Sequence, residues 1–366
     1  MLPKGGEVAL NAPQTAKEAA RYRILSTTST SPAARPDMKG WVHFARQAEE
    51  AGIDSVLISF SRYEPDSLLA SCALGRATKK LKFIAAFRAG LMQPTSFVQQ
   101  VNTVSGLIEG RVSLNIVAGS STVEQHGYGD FLTHDERYAR AEEFLAVCHA
   151  FWRGKAEVDF DGKYYRVEQG KLHTPFLAPD RTAPEIYVSG HSEQSERLAY
   201  SRGSCWLRVV DTPEKLEPVV LRARSRGIGV CLRMGLICRP TREEAVTVAE
   251  ALLPDDRNES TTSLKDDSQM YKEGATVARD SYWLNRSLFT GFVPHYGPVW
   301  TTLLGTPSEL ADAFLAYKRI GVTEFIISGW PEVDEVAHFG REVIPLVREA
   351  ERRAGQEFQI GNYILD

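Results

Sequence analysis

Eight short runs rich in apolar and β-branched residues recur along the chain, and this recurrence limits the possible folds more than any other feature. They are YRILSTT (22–28), SVLISF (55–60), KFIAAFR (82–88), VSLNIVAG (112–119), EIYVSG (185–190), CWLRVV (205–210), VCLRMGLIC (230–238) and EFIISGW (324–330). Helical patterns lie between them, such as WVHFARQAEEAG (41–52), PTSFVQQVNTVSGLIEG (94–110), PEKLEPVVLRARSRG (213–227) and TREEAVTVAEALL (241–253). Eight buried strands, each followed by a helix, predict an α/β fold of the (β/α)8 TIM-barrel type. The rival, a doubly wound open sheet, usually carries a Gly-rich turn after its first strand, and STTSTSP (26–32) is not one. EEAGIDSVLISFSR (49–62) and KRIGVTEFIISGWP (318–331) echo one another, with Gly52 and Gly321 expected as left-handed helix terminators.

Two segments interrupt the alternation. AEVDFDGKYYRVEQGKL (156–172) alternates apolar and polar residues around Asp161-Gly162, which predicts a β-hairpin inserted after the fourth helix. Residues 254–303, before the eighth strand, are polar and acidic at first, then aromatic and rich in Gly and Pro. A long insertion of this kind is expected to cover an active site, with Tyr282, Trp283, Phe289, Phe292, Tyr296 and Trp300 able to pack over a ligand. The expected layout is an N-terminal tail (1–20), one barrel domain (21–355) and a C-terminal tail (356–366).

Composition narrows the function. The net charge is −4, and no Lys/Arg block with interleaved aromatics appears, which argues against a nucleic-acid surface. Five cysteines without CxxC spacing argue against a disulfide framework and a zinc site. The chain has no 18-residue apolar run, and its first residues lack a signal-peptide core, so a cytoplasmic location off the membrane is expected.

In a barrel, chemistry sits at the C-terminal ends of the strands. Those positions offer Thr27, Thr28 and Ser29; Ser59, Ser61, Arg62 and Glu64; Phe87 and Arg88; Asn115, Gly119, Ser120 and Ser121; Ser189, Gly190, His191 and Ser192; Arg233; and Ser328 and Trp330. Paired carboxylates, metal-spaced histidines and a nucleophile elbow are all missing from this set, which disfavours glycosidase, zinc hydrolase and serine hydrolase readings. Hydroxyls, small residues, arginines and aromatics suit a site that binds a reactive cofactor. In VSGHSEQSERLA (188–199), Gly190 permits close backbone approach and Ser192 can cap the next helix, a pattern suited to an anion or equally to an ordinary capped helix. THDERYARAEEF (133–144) opens with a Thr133/Glu136 capping box and adds His134 and Tyr138, one turn apart on one face. These two can reach an anion at the neighbouring strand-5 loop; the alternative is that Tyr138 packs on the hairpin and His134 is solvated.

In their order and spacing, LKFIAAFRAGLMQPTSFVQQVNTVSGLIEGRVSLNIVAGSS (81–121), THDERYARAEEF, VDFDGKYYRV, PEIYVSGHSEQSERLA, LRMGLI and GTPSELADAFLAYKRIGVTEFIISGWP resemble the bacterial luciferase-like flavin-dependent monooxygenases, most closely the alkanesulfonate monooxygenase branch. The resemblance implies a two-component enzyme. It would take reduced FMN (FMNH2) from a separate NAD(P)H:flavin reductase, activate O2 as a C4a-peroxyflavin and oxygenate a small organic substrate. It places His134, Tyr138, Ser189, Gly190 and Ser192 at the flavin phosphate, and Ser59 and Asn115 near the isoalloxazine and ribityl groups. Arg233 matches a substrate-pocket arginine. Thr28, Glu64, Gly235 and Trp330 stand where that branch carries His, Cys, His and Tyr. Cofactor positions are kept while substrate positions change. Thr28, Glu64, Arg233 and Trp330 are therefore expected to face a larger substrate, such as a specialised-metabolism intermediate, free or carrier-bound. A homodimer is expected by analogy. An F420-dependent oxidoreductase on the same barrel and a non-catalytic flavin-binding protein are the alternatives.

Overall fold

The computed structural model describes residues 38–62, 64–154, 157–253, 282–329 and 332–353. In chain order these form α1 (Met38–Glu50), β1 (Ser55–Ile58), α2 (Ser67–Ala77), β2 (Lys82–Phe87), α3 (Pro94–Leu107), β3 (Val112–Ile116), α4 (Thr122–Gly127) and α5 (His134–Trp152). There follow β4 (Val158–Asp161), β5 (Arg166–Gly170), β6 (Ile186–Ser189), α6 (Glu193–Arg202), β7 (Cys205–Val209), α7 (Pro213–Arg224), β8 (Gly229–Cys238) and α8 (Arg242–Leu252). The rest comprises β9 (Leu288–Phe289), α9 (Val293–Tyr296), β10 (Thr302–Gly305), α10 (Pro307–Arg319), β11 (Glu324–Gly329), α11 (Glu332–Glu342) and α12 (Ile344–Arg353).

Seven of the predicted strand runs pair in parallel, in the order β1-β2-β3-β6-β7-β8-β11. The first run, 22–28, lies outside the described residues. Side-chain alternation divides the sheet into two faces. Leu57, Ile84, Tyr187, Cys205, Leu207, Cys231 and Ile326, drawn from six strands, meet in one cluster. Such a meeting requires the sheet to curl around its own interior, as in a barrel. The opposite face, with Val56, Phe83, Leu114, Val188, Trp206 and Leu232, packs under the helices in the main core.

Local chemistry explains the joints. Gly52 and Gly321 end α1 and α10 at φ 77° and 101°, a region that L side chains rarely adopt. The Glu49 carboxylate at the end of α1 accepts the Lys79, Lys80 and Leu81 amides just before β2. The inserted hairpin is present, with Asp161 opposite Arg166 and a turn running from Gly162 to Tyr165. That turn is longer than a two-residue one because Glu143 on α5 accepts the Lys163, Tyr164 and Tyr165 amides and holds them in an arc.

The second insertion is described in part. Its first part, 254–281, lies outside the described residues. The part from 282 onward contains β9, α9 and the start of β10, which pairs in parallel with β8. Phe289, Phe292 and Trp300 are buried against Ile237, Ala249, Leu252 and Leu304. Tyr282 and Trp283 pack on the same cluster. These aromatics form a satellite core beside α8.

Candidate functional site

Strand β6 ends at Ser189, and the chain turns through Gly190 into α6. Ser192 is the N-cap, its Oγ accepting the Ser195 amide at 3.2 Å. The Ser195 hydroxyl donates back to the Ser192 carbonyl at 2.6 Å. Two further bonds hold the turn. The buried Trp206 indole donates to the Gly190 carbonyl at 3.0 Å, and the Val209 amide donates to His191 Nε2 at 3.0 Å. His191 Nε2 is therefore an acceptor, which places the ring proton of the neutral form on Nδ1.

Tyr138 approaches this turn from α5. Its hydroxyl lies 3.4 Å from the Ser189 carbonyl and interacts with the Ser192 and Ser195 hydroxyls. Burial holds the phenol above its ordinary pKa, so it stays a protonated donor. Gly190, at φ 149°, has no room for a side chain: a Cβ there would sit 2.6 Å from Ser195 Cβ and 2.7 Å from Tyr138 Oη. His134 stacks obliquely on Tyr138 with ring centroids 4.9 Å apart, and its Nδ1 lies 2.8 Å from Asp135. The capping box that starts α5 is complete, with the Thr133 hydroxyl and Glu136 carboxylate satisfying each other's backbone amides. Asn115, inward-facing on β3, accepts the Ser189 hydroxyl at 2.7 Å. Six of the seven residues expected at the cofactor thus gather in one place: Asn115, His134, Tyr138, Ser189, Gly190 and Ser192. The convergence of three hydroxyls on the N-terminus of a ten-residue helix fits a phosphate, because the first-turn amides add further donors.

Ser59, the seventh, lies across the barrel mouth at the end of β1 and donates to Glu64 at 2.7 Å. Arg233 lies on β8, in register with Val209 on β7 and Ile326 on β11. Thr28 and Trp330 lie outside the described residues. Gly235 is fixed by packing, since a Cβ there would overlap Thr302 Oγ1 of β10. One constellation escaped the sequence reading: Arg88, 2% exposed, meets Glu124 of α4 at 3.2 Å under the rings of Phe60 and Tyr128. Glu124 lies 36 residues from Arg88, and no periodicity links the two.

Among the described residues, no cluster of His, Cys, Asp and Glu could hold a metal, and no helix is long and apolar enough to cross a membrane.

The model of the luciferase-like monooxygenases matches residues 20–324. The chain belongs to that family. Among solved structures, a riboflavin lyase with modified FMN and substrate riboflavin superposes with a TM-score of 0.70 at 20% identity, covering 95% of this chain and 94% of that one. The EDTA monooxygenase of Chelativorans sp. BNC1 gives a TM-score of 0.70 at 20% identity over 86% of this chain and 87% of that one. An F420-dependent secondary alcohol dehydrogenase, with an F420-acetone adduct, gives 0.64 at 20% identity over 86% and 96%. Identities this low carry the luciferase-like barrel and not a substrate. They accord with the expected TIM-barrel fold, to which the described parallel sheet and its shared interior belong.

Proposed function

We propose that this luciferase-like chain is an FMNH2-dependent monooxygenase of the two-component kind. The observation that carries the reading is the Gly190 turn, where Tyr138, Ser192 and Ser195 hydroxyls converge on the α6 N-terminus. When bound, reduced FMN would supply the reaction with O2 that delivers one oxygen atom to an organic substrate. The protein's own part is to bind, orient and shelter. Tyr138, Ser192 and His134 hold the phosphate, while Ser189 and Asn115 form a fixed pair that orients the ribityl side. Ser59, tied to Glu64, faces the ring end of the cofactor. Thr28, Glu64, Arg233 and Trp330 contact the substrate, with Arg233 the cation available to an anionic or carbonyl group. A separate NAD(P)H:flavin reductase supplies the reduced cofactor. The substrate is a specialised-metabolism intermediate, free or carrier-bound, and the enzyme acts in the cytoplasm as a homodimer. The reading takes 21–355 as one barrel domain, in keeping with the main core that runs from Trp41 to Val343.

Binding titrations test this. FMN should bind the wild type at least tenfold more tightly than riboflavin, and Tyr138→Phe should weaken FMN by roughly 1–2 kcal/mol, the scale of a hydrogen bond to a charged group. Riboflavin should be indifferent to the change. Equal losses for the two ligands would remove the phosphate assignment. Tight F420 binding with none of FMN would favour the hydride-transfer alternative. FMN binding without reductase-dependent O2 uptake across a substrate panel would favour a non-catalytic flavoprotein.

A further inference from the structure

Outside the phosphate turn, one buried charged group at the barrel mouth has a role that capping and core packing do not explain. Arg88 directly follows β2 (Lys82–Phe87), at the C-terminal end of the strand. The residue is 2% exposed, so its charge needs a partner. Glu124 of α4 supplies one, 3.2 Å away, with side-chain exposures of 3% and 13%. The pairing is incomplete, since Arg88 Nε and Nη1 find no hydrogen-bond acceptor among the described residues. What the guanidinium does have beside it is π surface: the Phe60 centroid at 5.1 Å and the Tyr128 centroid at 5.4 Å, the rings themselves 5.6 Å apart. Glu124 is engaged twice, because its other oxygen accepts the Arg62 backbone amide at 2.9 Å.

These contacts join three segments at the strand ends. Phe60 and Arg62 belong to the loop after β1, Arg88 directly follows β2, Glu124 lies in α4 after β3, and Tyr128 is the C-cap of that helix. The first loop also carries Ser59 and Glu64, hydrogen-bonded to each other. On the α4 side, Gly119 at φ 88° makes room for Gln125, whose amide donates to the Ala118 carbonyl at 3.2 Å and ties α4 to the end of β3.

We propose that Arg88 and Glu124 are a positioning pair that fixes the β1 loop, with Ser59 and Glu64, against α4, and thereby sets how well this side of the mouth excludes water. The proposal rests on the flavin reading for its functional consequence, but the coupling of the loops stands apart from it. Removing either charge leaves the other buried and unpaired, so both loops should loosen together.

Hydrogen–deuterium exchange on the full chain tests the coupling in wild type, Glu124→Gln and Arg88→Met. Each substitution should raise exchange at least fivefold in both 57–62 and 119–129, while 229–238 stays within twofold. A change confined to the segment bearing the substitution, or no change, overturns the proposal. The functional arm supplies reduced FMN through an NADPH:flavin reductase and follows its reoxidation by O2 with no organic substrate present. Glu124→Gln should shorten the lifetime of bound reduced FMN at least fivefold, with FMN affinity within twofold of wild type. An unchanged lifetime overturns the positioning role and leaves the flavin reading intact. Failure of the wild type to bind FMN overturns the flavin reading, and the exchange arm then decides the pair. Should either single variant not fold, the double variant R88M/E124L, apolar at both positions, is read by the same exchange criteria.

Discussion

At the scale of single residues, two glycines are held by contacts that a sequence does not print. Gly190→Ala would push a methyl into Tyr138 Oη and Ser195 and strain a backbone at φ 149°. Its expected effect is a loss of stability of about 1–3 kcal/mol, seen as a lowered urea midpoint, together with a loss of FMN affinity larger than that of Tyr138→Phe. Gly235→His, the change that would restore the side chain typical of the alkanesulfonate branch, meets Thr302. Such a substitution should destabilise the fold by about 1–3 kcal/mol without creating alkanesulfonate turnover; a soluble variant with wild-type stability would show that β10 yields there. The two helix starts beside the Gly190 turn were legible because helix capping has a sequence signature: Thr133, Glu136 and Ser192 announce where they begin. The Arg88–Glu124 pair was not, since its members come from separate βα units and meet only once the sheet curls.

At the scale of elements, the hairpin β4–β5 depends on one carboxylate. Glu143 accepts three consecutive amides of its turn, and a Cβ at Gly162 would already press on Glu143. Replacing Glu143 with Ala should cost roughly 1–3 kcal/mol, and exchange should rise across 158–170 while α5 stays protected; an unchanged hairpin would mean that its turn is self-supporting. The hairpin itself was readable from alternation around Asp161-Gly162, whereas its turn length was not, because Glu143 acts from another element. Strands β9 and β10 were missed for a related reason. Their residues read as an aromatic insertion, and only their burial on Ile237 and Leu252 makes them part of the sheet's flank.

At the scale of the whole molecule, β11 and β6 meet through the barrel interior, where the Tyr187 hydroxyl donates to Glu324. Burial pushes the Glu324 carboxyl up to about 7, helped by Glu185 and Asp54 and opposed by Tyr187 and Lys82. Cys205 and Cys231 face the same charge, and their thiols are held high chiefly by their own burial. For an acid whose pKa is raised in the folded state, the unfolded chain releases its proton first. The associated stability is therefore full below the ordinary carboxylate range and declines as pH rises towards and through 7. Urea midpoints for Glu324→Gln should match wild type near pH 4 and exceed it near pH 8, by roughly 1–3 kcal/mol once partial exposure is discounted. A difference independent of pH would place the proton elsewhere. The barrel was legible in outline from eight runs and the joints at Gly52 and Gly321. Its charged interior was not, because Glu324 opens a strand and reads as a surface residue until the curl turns it inward.

The ten-residue strand β8 has a consequence for how ligands come and go. Its middle pairs with β11 and its far end with β10, so the rim there is stitched by main-chain hydrogen bonds on both flanks. Across the mouth, the loops after β1, β2 and β3 meet chiefly through side-chain contacts, around Arg88, Glu124, Phe60 and Tyr128. A rim with one welded edge and one clasped edge opens asymmetrically, and traffic through it should have a preferred side. Bulky residues introduced at Ser61 or Val123, both on the clasped edge, should slow the association of FMN at little cost to its final affinity, whereas equal bulk on the β10 flank should leave association unchanged.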